Sequence, residues 1–96
     1  MIKCSQLGIG KLKLETVKVR LGKKNLILIK GKKGYIMCGY LDLKVAESFK
    51  DIAIKVTGVA TVKDVLSGKV HSSTRAARIL GVKKNQPIKD VLQIIA

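Results

Sequence analysis

Cys38 is the residue whose type is best suited to covalent chemistry in this 96-residue sequence. A thiol enzyme needs a base to generate the thiolate, and His71 is the single imidazole of the chain, with Asp42 available as an orienting carboxylate. The alternative is that Cys38 is a small apolar residue of a core strand, because free cysteine is among the most buried residue types. We favour this second interpretation and keep Cys38 and His71 only as catalytic candidates.

A second candidate site lies at the start of a predicted helix. Ser72 or Ser73 is expected to cap that helix, and Arg75 and Arg78 form the only clustered arginine pair. The free N–H groups at a helix start bind phosphate in many proteins. Ser73, Arg75 and Arg78 are therefore candidate anion-binding or ligand-binding residues, although capping explains the serine hydroxyls without any ligand.

The sequence predicts no metal site and no particular cofactor. Cys4 and Cys38 form neither a CxxC pair nor a disulfide framework, and with one histidine a zinc site would need ligands from two subunits. The cysteine usage agrees with a reducing compartment, and no segment approaches the roughly 18 consecutive apolar residues that span a bilayer. We expect a cytoplasmic protein without a membrane partner.

The charge of the chain is strongly positive. Lysine and arginine number 20 against 6 acidic residues, which gives a formal net charge of +14, and 17 of the basic residues are lysine. Proteins that read bases favour arginine, and single-strand binders stack bases on exposed aromatic side chains, which make up only 3% of this sequence. Weak nucleic-acid or polyanion binding through the Lys-rich surface is therefore an alternative, but it is not the favoured one.

The N-terminal third is predicted to form a β-hairpin. A strand around residues 2–7 should pair, through a glycine turn at residues 8–10, with residues 11–21. The apolar alternation of this second strand changes phase at Glu15 and Thr16. Because a one-residue slip exchanges the two faces of a strand, the pattern predicts a bulge or a bend there.

Two further strands are apolar without alternation. A turn at residues 22–25 opens the run 26–29, and a glycine–lysine turn at residues 31–34 leads into the stretch 35–41. Continuous apolar strands normally have both of their faces covered. Both strands therefore require cover on two sides.

A short helix and a strand are predicted next. Asp42 should cap a helix over residues 43–50, and residues 52–57 alternate as in a half-buried strand. The inner stripe of the helix is expected to be Leu43, Ala46 and Phe49. Strand, helix and strand in succession indicate a crossover between parallel neighbours.

The remaining residues are predicted to form three helices. Thr61 and Asp64 match a capping box, Gly81 should end the helix that follows Ser73, and Pro87 suits the first position of the last helix. The inward residues of the middle helix are expected to be Ala76, Ile79 and Leu80. Those of the last helix are expected to be Ile88, Val91, Leu92 and Ile95.

These patterns predict one α+β domain over residues 1–96. An antiparallel or mixed β-sheet is formed mainly by the N-terminal half, and short helices occupy the C-terminal half. Residues 1–41 form a β-rich region for oligomerisation, and residues 42–96 form a mixed region of helices and strand.

The segment from Tyr35 to Asp42, with the sequence YIMCGYLD, resembles the hallmark of a small bacterial and archaeal domain family of unknown function, the YunC-like family. The similarity continues through the capping-box helix and the helix ended by Gly81, and it covers nearly the whole chain from about Leu12 onward. The resemblance implies an α+β fold whose N-terminal β region is used for tetramerisation. It implies no established activity, substrate or catalytic residue.

A physical argument also favours self-association. If the short helices gather on one side of the sheet, the other face of the apolar strands must be covered by a second copy. Exposed aliphatic side chains would otherwise forfeit about 1.5 to 3 kcal/mol each. The leading hypothesis is a homo-oligomeric binding or structural module, with polyanion binding and thiol chemistry at Cys38 as alternatives.

Overall fold

A computed structural model describes residues 2–39 and 41–96 of the chain; Met1 and Tyr40 lie outside the described residues. In chain order, the elements are β1 (Ile2–Ile9), β2 (Leu12–Leu21), β3 (Lys24–Lys30), β4 (Gly34–Met37), α1 (Leu43–Ser48), β5 (Ile52–Lys55), α2 (Val62–Leu66), β6 (Ser72–Ser73), α3 (Arg75–Ile79) and α4 (Ile88–Ile95). Sheet in the N-terminal half and short helices in the C-terminal half confirm the predicted α+β class.

The strands form one sheet in the order β1-β2-β3-β4-β5-β6. Neighbours are antiparallel except β4 and β5, which are parallel and joined by α1, as the predicted crossover requires. Two-residue turns that begin with Gly10 and Gly22 connect the first three strands, and both glycines have positive φ, 58° and 56°. Positive φ at the first turn position suits the right-handed twist of a hairpin, and glycine adopts it without steric cost.

The predicted bulge at Glu15 and Thr16 is wrong. Thr16 pairs in continuous register with Ser5 on one side and with Ile29 on the other. Its side chain is buried, and its hydroxyl donates to the Ser5 carbonyl oxygen at 3.3 Å. The apolar pattern changes phase because the helices cover one face of β2 only as far as Thr16. Before Thr16 the apolar residues of β2 point to that covered face, and after it they point to the opposite face.

The main core lies between one face of the sheet, here called the inner face, and helices α2, α3 and α4. Its fully buried strand residues include Ile27, Ile29, Ile36 and Ile54. The predicted inward residues of α4 are confirmed, since Ile88, Val91, Leu92 and Ile95 are all buried in this core. This amphipathic helix is the longest of the four, and it provides most of the helical cover.

The opposite face of the sheet, here called the outer face, has much less cover. Only α1 packs there, where Ala46 meets Met37 and Ala53 in a small second core. The predicted inward position of Phe49 is wrong: this residue follows the last helical turn and is 73% exposed. The strands β1, β2 and most of β3 have no helix on this face within the described residues.

Several helix ends agree with the sequence predictions. Asp42 caps α1 by accepting the Lys44 N–H at 2.8 Å, and Thr61 forms the full capping box of α2 with Asp64. Gly81 has a φ of 105° and ends α3. The N–H of Val82, the residue after Gly81, donates to the carbonyl oxygen of the third residue from the helix end, as in a Schellman motif.

The start and the inner side of α3 differ from the prediction. Thr74 is the N-cap, because Ser72 and Ser73 form the edge strand β6 and place the next hydroxyl at the helix start. Ala77 is the fully buried residue of α3, whereas Ile79 is 74% and Leu80 is 50% exposed. A cap one position later rotates the inner stripe of the helix away from these two side chains. Pro87 likewise occupies the N-cap position of α4, one position before the predicted one.

Candidate functional site

Cys38 lies directly after β4 and forms part of the main core. Its side chain is 2% exposed, and its sulfur accepts the Ile27 N–H at 3.3 Å. The backbone of Cys38 continues the pairing, since its N–H donates to the Ile27 carbonyl oxygen at 3.2 Å. One hydrogen bond of the thiol and one of the backbone therefore hold Cys38 against the middle of β3.

One side of Cys38 borders a cavity of about 600 Å³, here called the Cys38 cavity. Its described lining consists of Lys23, Lys24, Asn25, Cys38, Gly39, Gly58, Val59 and Ala60. The Asn25 side-chain amide donates to the Ala60 carbonyl oxygen at 3.0 Å and ties the start of β3 to the loop after β5. The cavity thus combines uncharged walls with a rim of two lysines.

In the structure, neither the His71 side chain nor the Asp42 side chain forms a hydrogen bond with Cys38. The His71 ring nitrogen Nδ1 lies 3.1 Å from the Ser72 hydroxyl, and Asp42 is engaged as the cap of α1. Cys38 follows β4 and His71 precedes β6, so β5 lies between them, and two strand spacings amount to about 9 to 10 Å. His71 lines a neighbouring cavity of about 540 Å³, which shares Gly58 and Val59 with the Cys38 cavity.

The three residues of the predicted anion site lie close together around α3, and each already has a role in the fold. Ser73 is buried in β6, and its carbonyl oxygen accepts a hydrogen bond from the Arg78 guanidinium. The Arg75 backbone N–H donates to a Glu47 carboxylate oxygen at 2.9 Å. An anion at the start of α3 would have to compete with Glu47.

Sequence reasoning missed a basic cleft on the inner face, beyond the edge of the helical cover. Lys3 and Lys18 are directly opposite each other on β1 and β2, and Arg20 follows two positions later on the same face. Together with Asn25, these residues line a cavity of about 220 Å³. The alternation of Lys18 and Arg20 with apolar residues already indicated a shared face, but only the β1–β2 register places Lys3 beside them.

Several acidic side chains accept hydrogen bonds from neighbouring groups of the protein itself. Asp51 accepts the Tyr35 hydroxyl at 2.7 Å. Burial, together with the Asp51 hydrogen bond and negative charge, raises the pKa of Tyr35 to about 12. Hydrogen bonds from the Ala60 and Thr61 backbone N–H groups hold the pKa of Asp64 below its usual value. These carboxylates stabilise turns and caps rather than the basic cleft.

The described residues offer neither a cluster of metal ligands nor a membrane-spanning helix. Residues 2–39 and 41–96 contain no group of three or more His, Cys, Asp or Glu side chains placed to hold a metal ion. None of the helices in this part of the chain has the length and apolar character needed to cross a membrane.

Comparison with known proteins gives a family but no activity. A family model described as a domain of unknown function, DUF1805, matches residues 37–95. The uncharacterized protein YunC of Bacillus subtilis is 35% identical over 80 residues, which cover 79% of this chain and 79% of that protein. The crystal structure of a protein of unknown function, TA1206 from Thermoplasma acidophilum, superposes with a TM-score of 0.96 at 34% identity and covers 100% of this chain and 94% of that one.

Proposed function

The chain belongs to the DUF1805 family, a family of unknown function, and we propose that it acts as a homo-oligomeric binding or structural module, built as a tetramer through its N-terminal strands. The observation that carries this proposal is the outer face of β1, β2 and β3. Beyond the polar row of Gln6, Glu15 and Lys30, this face carries an apolar patch, and the patch lacks a covering element within residues 2–39 and 41–96.

The outer-face patch is continuous across three strands. The register places Cys4 opposite Val17 and Val17 opposite Leu28, while Ile2 lies opposite Val19. Val17, Val19 and Leu28 are only half-buried, and Ile2 is 68% exposed. The patch is defined by Ile2, Cys4, Val17, Val19, Leu21 and Leu28. Helix α1 packs on the same face, and Val45 in this helix and Phe49 directly after it are also exposed.

The free energy of covering this patch is large enough for association. Full burial of one aliphatic side chain contributes about 1.5 to 3 kcal/mol, and we take about half of this for side chains that are already half-buried. Five aliphatic residues on each of two protomers then contribute roughly 8 to 15 kcal/mol. The loss of translational and rotational freedom on association costs about 4 to 15 kcal/mol. A self-complementary packing of two outer faces is therefore energetically feasible.

The edge strand β1 supports a tetramer rather than a dimer. This strand pairs only with β2, and its residues Ile2–Gln6 are all exposed, so its outer backbone groups form a template for another strand. A tetramer with three two-fold axes uses two different self-complementary surfaces. The outer face and the β1 edge are two such surfaces.

The test is the double variant Val17→Glu/Val19→Glu, studied by light scattering coupled to size exclusion. We expect the variant to lose the oligomer, because packing two outer faces would bury four like charges in an apolar interface. Circular dichroism should show that the variant still folds. If it does not, Leu21→Lys near the end of β2 provides a milder change at a residue that is 41% exposed.

The matched control is Ile79→Glu/Leu80→Glu, which introduces the same two charges at two exposed apolar residues, the last residue of α3 and its C-cap, outside the outer face. We expect this control to keep the oligomer of the unchanged protein. A folded Val17→Glu/Val19→Glu variant that keeps the same mass as the control would contradict the proposed interface.

Thiol chemistry at Cys38 is the second candidate function, supported by the position of this residue in the wall of a cavity of about 600 Å³. A thiol-reactive chromogen applied to the native protein tests it, because exposed Cys4 provides an internal standard. Reaction of both thiols before denaturation would support the candidate. A Cys38 that reacts only after denaturation would exclude it and would identify the residue as part of the core.

A further inference from the structure

The basic cleft concentrates three positive charges on a small area of the inner face. Lys3 and Lys18 are directly opposite each other, so their Cβ atoms are about 4.5 to 5.5 Å apart, and Arg20 lies on the same face two residues along β2. Lys18 is half-buried between Lys3 and the buried side of β3, while Lys3 and Arg20 are exposed. The three cationic groups can therefore reach one common point above the sheet.

Like charges directly opposite each other destabilise a strand pair. None of the described residues that line the cleft is acidic, since the lining consists of three cations and Asn25. The nearest inner-face neighbours along the strands are Ser5 and Thr16, which are uncharged. An anion in the cleft would relieve this repulsion, and the adjacent protein surface would strengthen the attraction by excluding part of the solvent.

The chemistry and size of the cleft favour a compact phosphate rather than a nucleic acid. The arginine fork can hold two oxygens of one phosphate, and two lysines supply additional point charges. The described lining of the cleft and of the Cys38 cavity contains no aromatic side chain on which a base could stack. A volume of about 220 Å³ suits a single charged group better than an extended backbone.

The Cys38 cavity gives the rest of such a molecule a place to bind. Asn25 lines both cavities, so the cleft and the Cys38 cavity meet at this residue. Beyond Asn25, the walls near Val59 and Ala60 are uncharged. We propose that Lys3, Lys18 and Arg20 bind the phosphate of a small organic phosphate whose uncharged part enters the Cys38 cavity.

This site is independent of the proposed oligomer interface. It lies on the inner face, whereas the proposed interfaces use the outer face and the backbone edge of β1, and pairing at that edge leaves the side chains of the inner face uncovered. A failure to bind phosphates would leave the oligomer intact, and a monomeric protein would still contain the cleft. The two proposals can therefore fail separately.

The experiment is a titration of the full chain with phenyl phosphate and with inorganic phosphate at low salt, followed by amide chemical shifts and calorimetry. We expect shifts at Lys18, Arg20 and Val59, and tighter binding of phenyl phosphate than of inorganic phosphate. The double variant Lys18→Gln/Arg20→Gln should weaken phenyl phosphate binding about tenfold or more, because two charge-assisted hydrogen bonds are lost. No shift at these amides at low salt would overturn the proposal.

The matched control is Lys84→Gln/Lys89→Gln, which removes the same two charges from exposed positions that line neither cavity. We expect at most a twofold change in affinity. An equal loss of affinity in the two double variants would show a general effect of net charge and would overturn the proposed site. Equal affinity for phenyl phosphate and inorganic phosphate would overturn the role of the Cys38 cavity. Tighter binding of a single-stranded oligonucleotide, weakened only by the cleft variant, would overturn the small-molecule assignment.

Discussion

Thr74 should contribute more to stability than any other polar side chain of the C-terminal half. It is fully buried, and its hydroxyl donates to the Asp51 carbonyl oxygen at 2.6 Å while accepting the N–H groups of Ala53 at 3.1 Å and Ala77 at 3.4 Å. Thr74→Val keeps the shape of the side chain but leaves two buried donors and one acceptor without this partner. Each unsatisfied buried group costs about 1 to 3 kcal/mol, and partial relaxation lowers the sum to roughly 2 to 4 kcal/mol.

Urea unfolding of the Thr74 variants at one fixed protein concentration measures this cost, since association also affects stability. Thr74→Ser is the matched control, because it keeps the hydroxyl and removes one methyl group, for about 1 kcal/mol. The valine variant should be less stable than the serine variant. A valine variant as stable as the serine variant would refute the hydrogen-bonding role assigned to the Thr74 hydroxyl.

Three further predictions concern other parts of the fold. Gly31→Ala should lower the free energy of unfolding by about 1 to 3 kcal/mol or more in urea titrations, because an added Cβ would lie 1.9 Å from a carbonyl oxygen of the last helix. Tyr35 should ionise at about pH 12, and its contribution to stability, present below pH 10.0, should be lost as the pH rises to about 12. The ionisation is measured as the part of the ultraviolet absorbance change with pH that the Tyr35→Phe variant lacks. A midpoint of this change near pH 10 would contradict the contact with Asp51. The lowered pKa of Asp64 means that its stabilisation of α2 should be present above its ordinary pKa and lost as the pH falls through the lowered value. The amide chemical shift of Thr61, measured against pH, reports this loss. If the Asp64→Asn variant shows the same pH dependence of that shift, Asp64 is not the group that titrates.

The local signals of the C-terminal half were predictable because each depends on a few neighbouring residues. The Asp42 cap, the capping box of Thr61 and Asp64, and the end of α3 at Gly81 all follow from backbone groups that lie within one helical turn. The predicted cap of α3 was wrong by one or two residues, because three successive hydroxyl residues can each cap a helix. The pairing of β6 with β5 selects Thr74 among them. That pairing is a long-range contact and cannot be inferred from local sequence.

The β-region shows why the candidate sites were harder to predict. The change of phase near Thr16 suggested a bulge, whereas in the structure it marks the point where helical cover moves off the inner face. The basic cleft required the same information, since Lys3 comes beside Lys18 only through the strand register. Cys38 is buried directly after β4, in an apolar stretch that the sequence already shows, but the cavity beside it is formed by loops distant in sequence.

The central claim, that a second copy covers the outer face, is tested most directly by the mass of the unchanged protein in solution. Light scattering at low micromolar concentration should give about four times the protomer mass of 10.4 kDa. A dimer should appear only on further dilution. A folded species of 10.4 kDa at every concentration would contradict the claim and would show that the outer face of β1, β2 and β3 is stable in water.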